Sequence, residues 1–449
     1  MSLFVKDKDF YSRFWRLTIT IALQNVVVYA VNLADNVMLG RYTQDALSGV
    51  ALCNQIFFII QMMVTGIGEG LLVFAARSWG ERDIPAVWRI TNIAMKLAAG
   101  ASLVCAAAVY LFPAQTLGLL SNDAAVIAEG VKYLRIIVFT YPLFAVTNVL
   151  LSMLRSVEVV RIGLVINCSA LVVNVLLNYL LIFGHGGFPR LGTAGAAIAT
   201  LAARLAELAI ALVYVFAIDK RVRLRLRAFG RIDRALLRAY LRVGSPVLFS
   251  SIQWGIAMTI QTAILGHMSS DVIAASSIAG SVHSILTVVA YGSASATGVV
   301  IGSTIGAGRA DKVKDYARTL QILFLFIGVG TGLLLFLSRS FVVGLYTVTP
   351  AAAAYSMTFL SVLAVCVVGT AYQCSCLTGI VRAGGDTSFV LWNDIVFQFC
   401  IVLPAALLSA FVFNWGPVVT FAVLKSDQIL KCFVAVVKVH RYKWIRALR

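Results

Sequence analysis

The sequence has little charge and is short of acid above all. Of 449 residues only 12% are Asp, Glu, Lys or Arg, and 19 acidic residues stand against 37 basic ones. With 60% hydrophobic residues, so little charge excludes an ordinary soluble domain and a disordered chain. Cysteine is also sparse. The eight Cys all lie in apolar runs, and the close pair Cys374 and Cys376 has no His beside it, so neither a disulfide scaffold nor a zinc site is expected. Also missing are a phosphate-binding Gly-Lys-Ser/Thr loop and any long polar loop that could house soluble chemistry. The opening MSLFVKDKDFYSRFWR lacks the apolar core of a cleavable leader, so the first hydrophobic run is expected to persist as a helix.

Hydrophobic runs are what the chain has in abundance, and mean hydropathy is +0.92. Runs of about 20 apolar residues predict twelve spans, near 14–40, 46–74, 90–112, 132–154, 160–184, 192–217, 240–266, 272–302, 317–337, 354–380, 387–412 and 415–437. The fold class is therefore all-α integral membrane. The net charge of +18 would suit nucleic acid only if it were clustered on a folded surface; here it sits between spans. Few basic residues (Arg41, Lys132, Arg135, Arg190, Arg339) fall in one set of alternate loops and most of the rest in the other, which places both termini in the cytoplasm by the positive-inside rule. The longest basic stretch, 219–242, reads as a connector lying on the anionic cytoplasmic leaflet, with membrane lipid as its partner and no nucleic acid.

The two halves repeat. RLTITIALQNVVVYAVNLADNVMLG, from Arg16, aligns with RVGSPVLFSSIQWGIAMTIQTAILG, from Arg242, at an offset of 226, and further pairs follow at 227 and 228. Six spans per half, an even number, relate the repeats by a pseudo-twofold axis along the membrane normal, with six-helix lobes at 1–225 and 226–449. Such an architecture suits an alternating-access carrier better than an enzyme.

A charge inside a span is costly, roughly 2.5–3.5 kcal/mol for Asp at a helix centre, so one that is kept usually has a task. Asp35 lies in the first span, where Gln24, Asn25, Tyr29, Asn32, Asp35 and Asn36 share an arc of roughly 140°. That face belongs against protein or water. The fifth span carries a second polar stripe, Asn167, Asn174 and Asn178, and the sixth adds Thr200. If these helices meet, the carboxylate and amide oxygens form a hard-oxygen set for a small cation such as Na+, or a site for a protonatable acid.

Other polar residues within spans are Glu69, Gln253, Gln261, His283, Tyr372 and Asp394, of which all but His283 are candidates to line a substrate cavity together with Asn32. Gln261 stands at the repeat position of Asp35, and Asp394 at that of Asn167. Two charge pairs, Arg204 with Glu207 and Asp427 with Lys431, have the spacing of helix-face pairs. His283 reads as a packed, hydrogen-bonded group, and Gly298, Gly302 and Gly306 as a ridge for close helix approach.

At this point the sequence resembles the MATE family of multidrug and toxic compound extrusion transporters. The likeness runs through ADNVMLGR and DALSGVALCNQI, then GLLVFAARSWGERD, NVLLNYLLIFGHGGFPRLGTAGAAIAT and GIVRAGGDTSFVLWND, and so covers nearly the whole chain. It implies two six-helix lobes around a V-shaped cavity, and export of organic, often cationic compounds in exchange for Na+ or H+, with no other cofactor. It also implies a first-lobe cation site at Asp35, Asn174, Asn178 and Thr200. Asn178 stands where the family often has Asp, and Thr20 where its first helix often has a proline that the second half keeps as Pro246. The acidic residues that another branch places on the seventh and tenth helices are here Gln253, Gln261, Tyr372 and Gln373, which leaves Asp35 as the coupling residue and Asp394 as second choice. The expected protein is a monomeric, cation-coupled antiporter of small organic molecules in the plasma or inner membrane. A flippase for lipids or lipid-linked oligosaccharides, from the same superfamily, is the alternative; its relatives commonly have fourteen helices and a cationic cavity. An integral membrane transferase would need His, Asp or Arg clustered near one interface.

Overall fold

The computed structural model describes residues 4–121, 123–224, 230, 232–346, 348–446 and 448. The cut between the expected lobes at 225/226, and part of the basic connector, fall outside these residues. Among the described residues there is no strand, only helices and one isolated bridge. The order is α1 (Lys8–Gly40), α2 (Gln44–Gly80), α3 (Ile84–Leu111), α4 (Pro113–Gly118), α5 (Ala124–Ile137), α6 (Thr140–Ser156), α7 (Arg161–Phe183), α8 (Thr193–Val213) and α9 (Arg234–Gly266). Then come α10 (Ser270–Leu286), α11 (Val288–Gly306), α12 (Ala310–Gly344), α13 (Pro350–Cys374), α14 (Thr387–Ile395), α15 (Leu403–Leu407), α16 (Pro417–Lys425) and α17 (Asp427–His440).

Among the described residues ten helices are long and apolar enough to cross a membrane, and eleven spans result when the bent pair α5–α6 counts as one. That pair turns by 51° where one span was predicted at 132–154. Pro142, in the first turn of α6, cannot donate backward, and Thr140 Oγ1 caps Ile137 O at 2.6 Å. The predicted span 272–302 is likewise two helices, α10 and α11. Its break is at Thr287, whose hydroxyl returns to His283 O at 2.7 Å, a back-bond that bends helices. The last predicted span, 415–437, is α16 and α17, interrupted at Ser426 and carrying Lys425, Asp427 and Lys431. These charges keep it from reading as an uninterrupted apolar helix.

The chain forms two compact units that interleave in sequence. One comprises Leu23–Ala75 and Asp83–Leu248; the other Met1–Ala22, Ala76–Arg82 and Phe249–Arg449. We call them the N-unit and the C-unit. α1 changes unit after Ala22 and α9 after Leu248, two positions separated by the repeat offset of 226.

Within the N-unit, α8 packs on α5, α6 and α7. Small residues allow the close approaches: a Cβ on Gly49 would meet Gly130 N at 2.8 Å, and one on Gly195 would meet Leu181 O at 2.6 Å. α7 ends on Gly184 in the left-handed region (φ 76), where glycine carries no steric penalty. Gln24 Nε2 donates to Val160 O at 2.6 Å, fastening α1 to the start of α7, and Asn167 Nδ2 donates back to Gln24 O at 3.4 Å. One polar residue of the first span, Gln24, is thus tied twice to the helix that carries the second polar stripe.

Within the C-unit, α13 packs along α12 and α10. Its core includes Phe359 and Phe421, with rings 4.0 Å apart and parallel, and Leu335, Leu360, Leu363 and Leu424. The glycine ridge of α11 lies against the end of α2: a Cβ on Gly302 would meet that of Ala76 at 3.0 Å, and one on Gly306 would overlap the Arg77 carbonyl. The turn after residue 381 clasps the end of the chain. Asp386, 1% exposed, is held by Lys438 at 2.7 Å and Arg446 at 3.2 Å; Arg446 N donates to Gly384 O; and Trp444 is fully buried beside Gly384.

Candidate functional site

The polar face of α1 is divided between fastening and opening. Gln24 is buried in its bond to Val160, while Asn32 and Asn36 are exposed. Asp35, half-buried, turns towards α7. There Asn174 and Asn178, one helical turn apart and both wholly buried, meet it: Asn178 Nδ2 donates to Asp35 Oδ1 and to Asn174 Oδ1, the latter at 3.0 Å. Asn174 Nδ2 in turn donates to Thr200 Oγ1 at 3.3 Å, and that hydroxyl donates to Ala196 O at 3.0 Å on α8. The four residues read from the sequence as a cation site thus form one chain of hydrogen bonds through three helices of the N-unit.

One atom in this chain has no partner. Asn178 Oδ1 is buried and accepts no hydrogen bond. A buried amide oxygen left so is costly, and it lies on the same amide whose nitrogen touches Asp35. The set presents a carboxylate, two amide oxygens and a hydroxyl, which suits a monovalent hard cation; it also suits a carboxyl group that exchanges a proton. Nearby charge is already used: Arg204 binds Glu207 at 2.8 Å, as its spacing foretold, and packs over Phe144 at 5.2 Å.

The remaining candidates do not converge on Asp35. Glu69 forms an ion pair with Arg155 of α6 at 3.4 Å. Tyr372 donates to Gln321 Oε1 at 2.7 Å, buried between α12 and α13. Asp394 and Gln253 do come together, in the C-unit: Lys431 Nζ lies 2.9 Å from Asp394 Oδ1, Ser250 Oγ donates to Oδ2 at 2.8 Å, and Gln253 Nε2 reaches the Asp394 carbonyl at 3.5 Å. Lys431 also binds Asp427, at 3.5 Å. The pair read as confined to one helix face is therefore a triad, and its shorter bond crosses to another helix. Gln428 extends it, donating to Asp427 Oδ2 at 2.8 Å and accepting from Gln373 at 2.9 Å and Thr370 at 3.0 Å.

Gln261, the repeat partner of Asp35, accepts a hydrogen bond from Lys425 Nζ at 2.8 Å. His283 departs from its reading as a hydrogen-bonded group, since its Nδ1 is buried without a partner. Sequence reasoning assigned Lys425 no role, although Lys425 and Lys431 within an apolar run were a visible signal. Among the described residues no three His, Cys, Asp or Glu side chains gather as a metal cluster.

Comparison with known proteins decides the lineage. The family model described as MatE matches residues 20–180 and 246–408, one stretch in each half. The chain belongs to the MatE family. This MATE chain is 23% identical over 416 residues to the "Uncharacterized transporter YisQ" of Bacillus subtilis (strain 168), covering 91% of this chain and 89% of that protein. It is 28% identical over 422 residues to the "Probable multidrug resistance protein NorM" of Geobacillus kaustophilus (strain HTA426), covering 89% of each. Among solved structures, that of MATE in complex with MaL6 superposes with a TM-score of 0.87 at 19% identity over 96% of this chain and 95% of the other, a likeness of fold alone. MATE proteins are membrane transporters and not enzymes, so the all-α membrane class and the carrier reading both hold.

Proposed function

We propose that this transporter is an antiporter that exports organic, cationic, drug-like compounds by alternating access, coupled to Na+ or H+ through Asp35. The observation that carries the coupling assignment is the bond network joining Asp35, Asn178, Asn174 and Thr200, with the orphaned Asn178 oxygen inside it. An ion drives a carrier only through its different affinity for the two facing states. Asp35 meets that demand if its oxygens hold the ion in one state and release it in the other. A single carboxylate set among amides favours Na+, because amide oxygens coordinate a cation and do not take up a proton at neutral pH. The exposed amides Asn32 and Asn36, on the face of α1 that also carries Asp35, supply polar contacts for substrate. The protein acts in the plasma or inner membrane with both termini in the cytoplasm, as a monomer of two six-helix repeats.

The test is transport by purified protein in proteoliposomes under an imposed Na+ gradient and, separately, an imposed pH gradient. Dye accumulation driven by the Na+ gradient at equal pH on both sides is expected. Accumulation under the pH gradient alone assigns H+, and accumulation under neither rejects the antiporter.

A further inference from the structure

We propose that Lys425, Gln261 and His283 form a recognition site for a carboxylate, and that the compounds this protein exports carry an acidic group beside their cationic or aromatic body. The inference rests on the transporter reading and narrows its substrate class.

The ammonium of Lys425 has three N–H donors. Among the described residues Gln261 Oε1, at 2.8 Å, is its hydrogen-bond acceptor, and the Phe421 ring lies 5.8 Å away. No described carboxylate lies within ion-pair distance of it. Asp427, two residues on, is taken up by Lys431 and Gln428. Lys425 is the last residue of α16, about 12 Å along the helix axis from Pro417, and its side chain is half-exposed. An ammonium at the end of an apolar helix is costly unless it meets a counter-charge or water.

His283, on α10, is also half-exposed, and its neighbours Val282 and Leu286 pack in the same core as Phe421 and Leu424 of α16. Its Nδ1 is buried without a partner. Three helices of the C-unit thus bring together an ammonium with unused N–H groups, an imidazole with an unsatisfied nitrogen, and an amide whose oxygen is occupied. With Nδ1 as the protonated nitrogen of His283, the set is rich in donors and poor in acceptors. A carboxylate, with about four acceptor positions in one plane, satisfies it, and pairing a buried ammonium with a carboxylate removes the cost of leaving that charge alone.

The test uses two dyes that differ only at the group in question: rhodamine B, whose carboxylate is free, and rhodamine B ethyl ester, the same cationic xanthene with the carboxylate blocked. Binding is measured by fluorescence anisotropy on detergent-purified protein at neutral pH, against protein-free micelles, so no ion gradient enters. The wild type is expected to bind the free acid about tenfold more tightly than the ester. Lys425→Met should close that gap through loss of affinity for the acid, and Lys425→Arg should preserve it. Equal affinity of the wild type for both dyes overturns the proposal, as does a gap that survives in Lys425→Met. If Lys425→Met does not purify as a monodisperse protein, the wild-type ratio and Lys425→Arg still decide. A wild type that prefers the acid but exports neither dye under any gradient keeps the carboxylate site and rejects the antiporter.

Discussion

Asp35 and Gln261 occupy the same place in two copies of one repeat, and their surroundings have opposite character. Asp35 is a carboxylate among amides and a hydroxyl, with an amide oxygen to spare; Gln261 is an amide whose oxygen is held by an ammonium. The first set offers acceptors and the second an ammonium. A duplicated fold supplied both places, and single side chains, Asp for Gln on one helix and Lys on another, gave them opposite polarity. The C-unit adds a contrast of its own: Lys431, 5% exposed, is compensated by two carboxylates, whereas Lys425 has none within reach.

The largest effect should come from breaking the compensated triad. Lys431→Met leaves Asp394 and Asp427 facing each other without a cation, and losing one partner of a buried ion pair costs about 3–5 kcal/mol. The thermal midpoint in detergent should fall sharply; an unchanged midpoint means the triad is solvated and marginal. A smaller change sharpens the other side of the comparison. Asn178→Asp puts a second carboxylate beside Asp35, so Na+ affinity, measured by titration calorimetry, should rise about tenfold at alkaline pH and fall towards neutrality as the two acids come to share a proton. Flat pH dependence would show that position 178 does not face Asp35 when the ion binds.

The smallest effect lies at the N-terminus. Asp7 accepts a hydrogen bond from Tyr316 at 2.7 Å and pairs with Lys312 at 3.6 Å, and above all the Tyr316 bond holds its carboxyl below the ordinary carboxylate range. Since the folded value is the lower one, the contribution is complete above the unfolded value and disappears as pH falls through the folded one. Asp7→Asn should therefore reduce stability slightly at neutral pH and not at all in strong acid, as thermal melts at the two pH values would show.

The helical membrane class, the repeat, and the polar faces of α1 and α7 were legible because each rests on a local pattern: run length, offset, or helical spacing; the grouping of Asp35, Asn174, Asn178 and Thr200 was implied by the family resemblance. The breaks at Thr287 and Ser426 were not, because a hydroxyl back-bond or two flanking charges leave hydropathy nearly unchanged over a 20-residue window. The bond from Lys431 to Asp394 was also hidden. Its i,i+4 neighbour Asp427 offered a complete local account, and only packing could bring Asp394 closer. His283 was read as satisfied on general grounds, and the lack of a partner for its Nδ1 is a fact of three-dimensional surroundings.

The central claim is that coupling resides at the acceptor-rich place and not among the charges of the C-unit. It is tested most directly by gradient-driven efflux in proteoliposomes, comparing Asp35→Asn with Asp394→Asn, with gradient-free substrate exchange as the measure of intact protein. The account predicts that Asp35→Asn keeps exchange but loses about tenfold or more of the driven accumulation, while Asp394→Asn retains both. Undiminished driven efflux in Asp35→Asn, or its selective loss in Asp394→Asn, would contradict it.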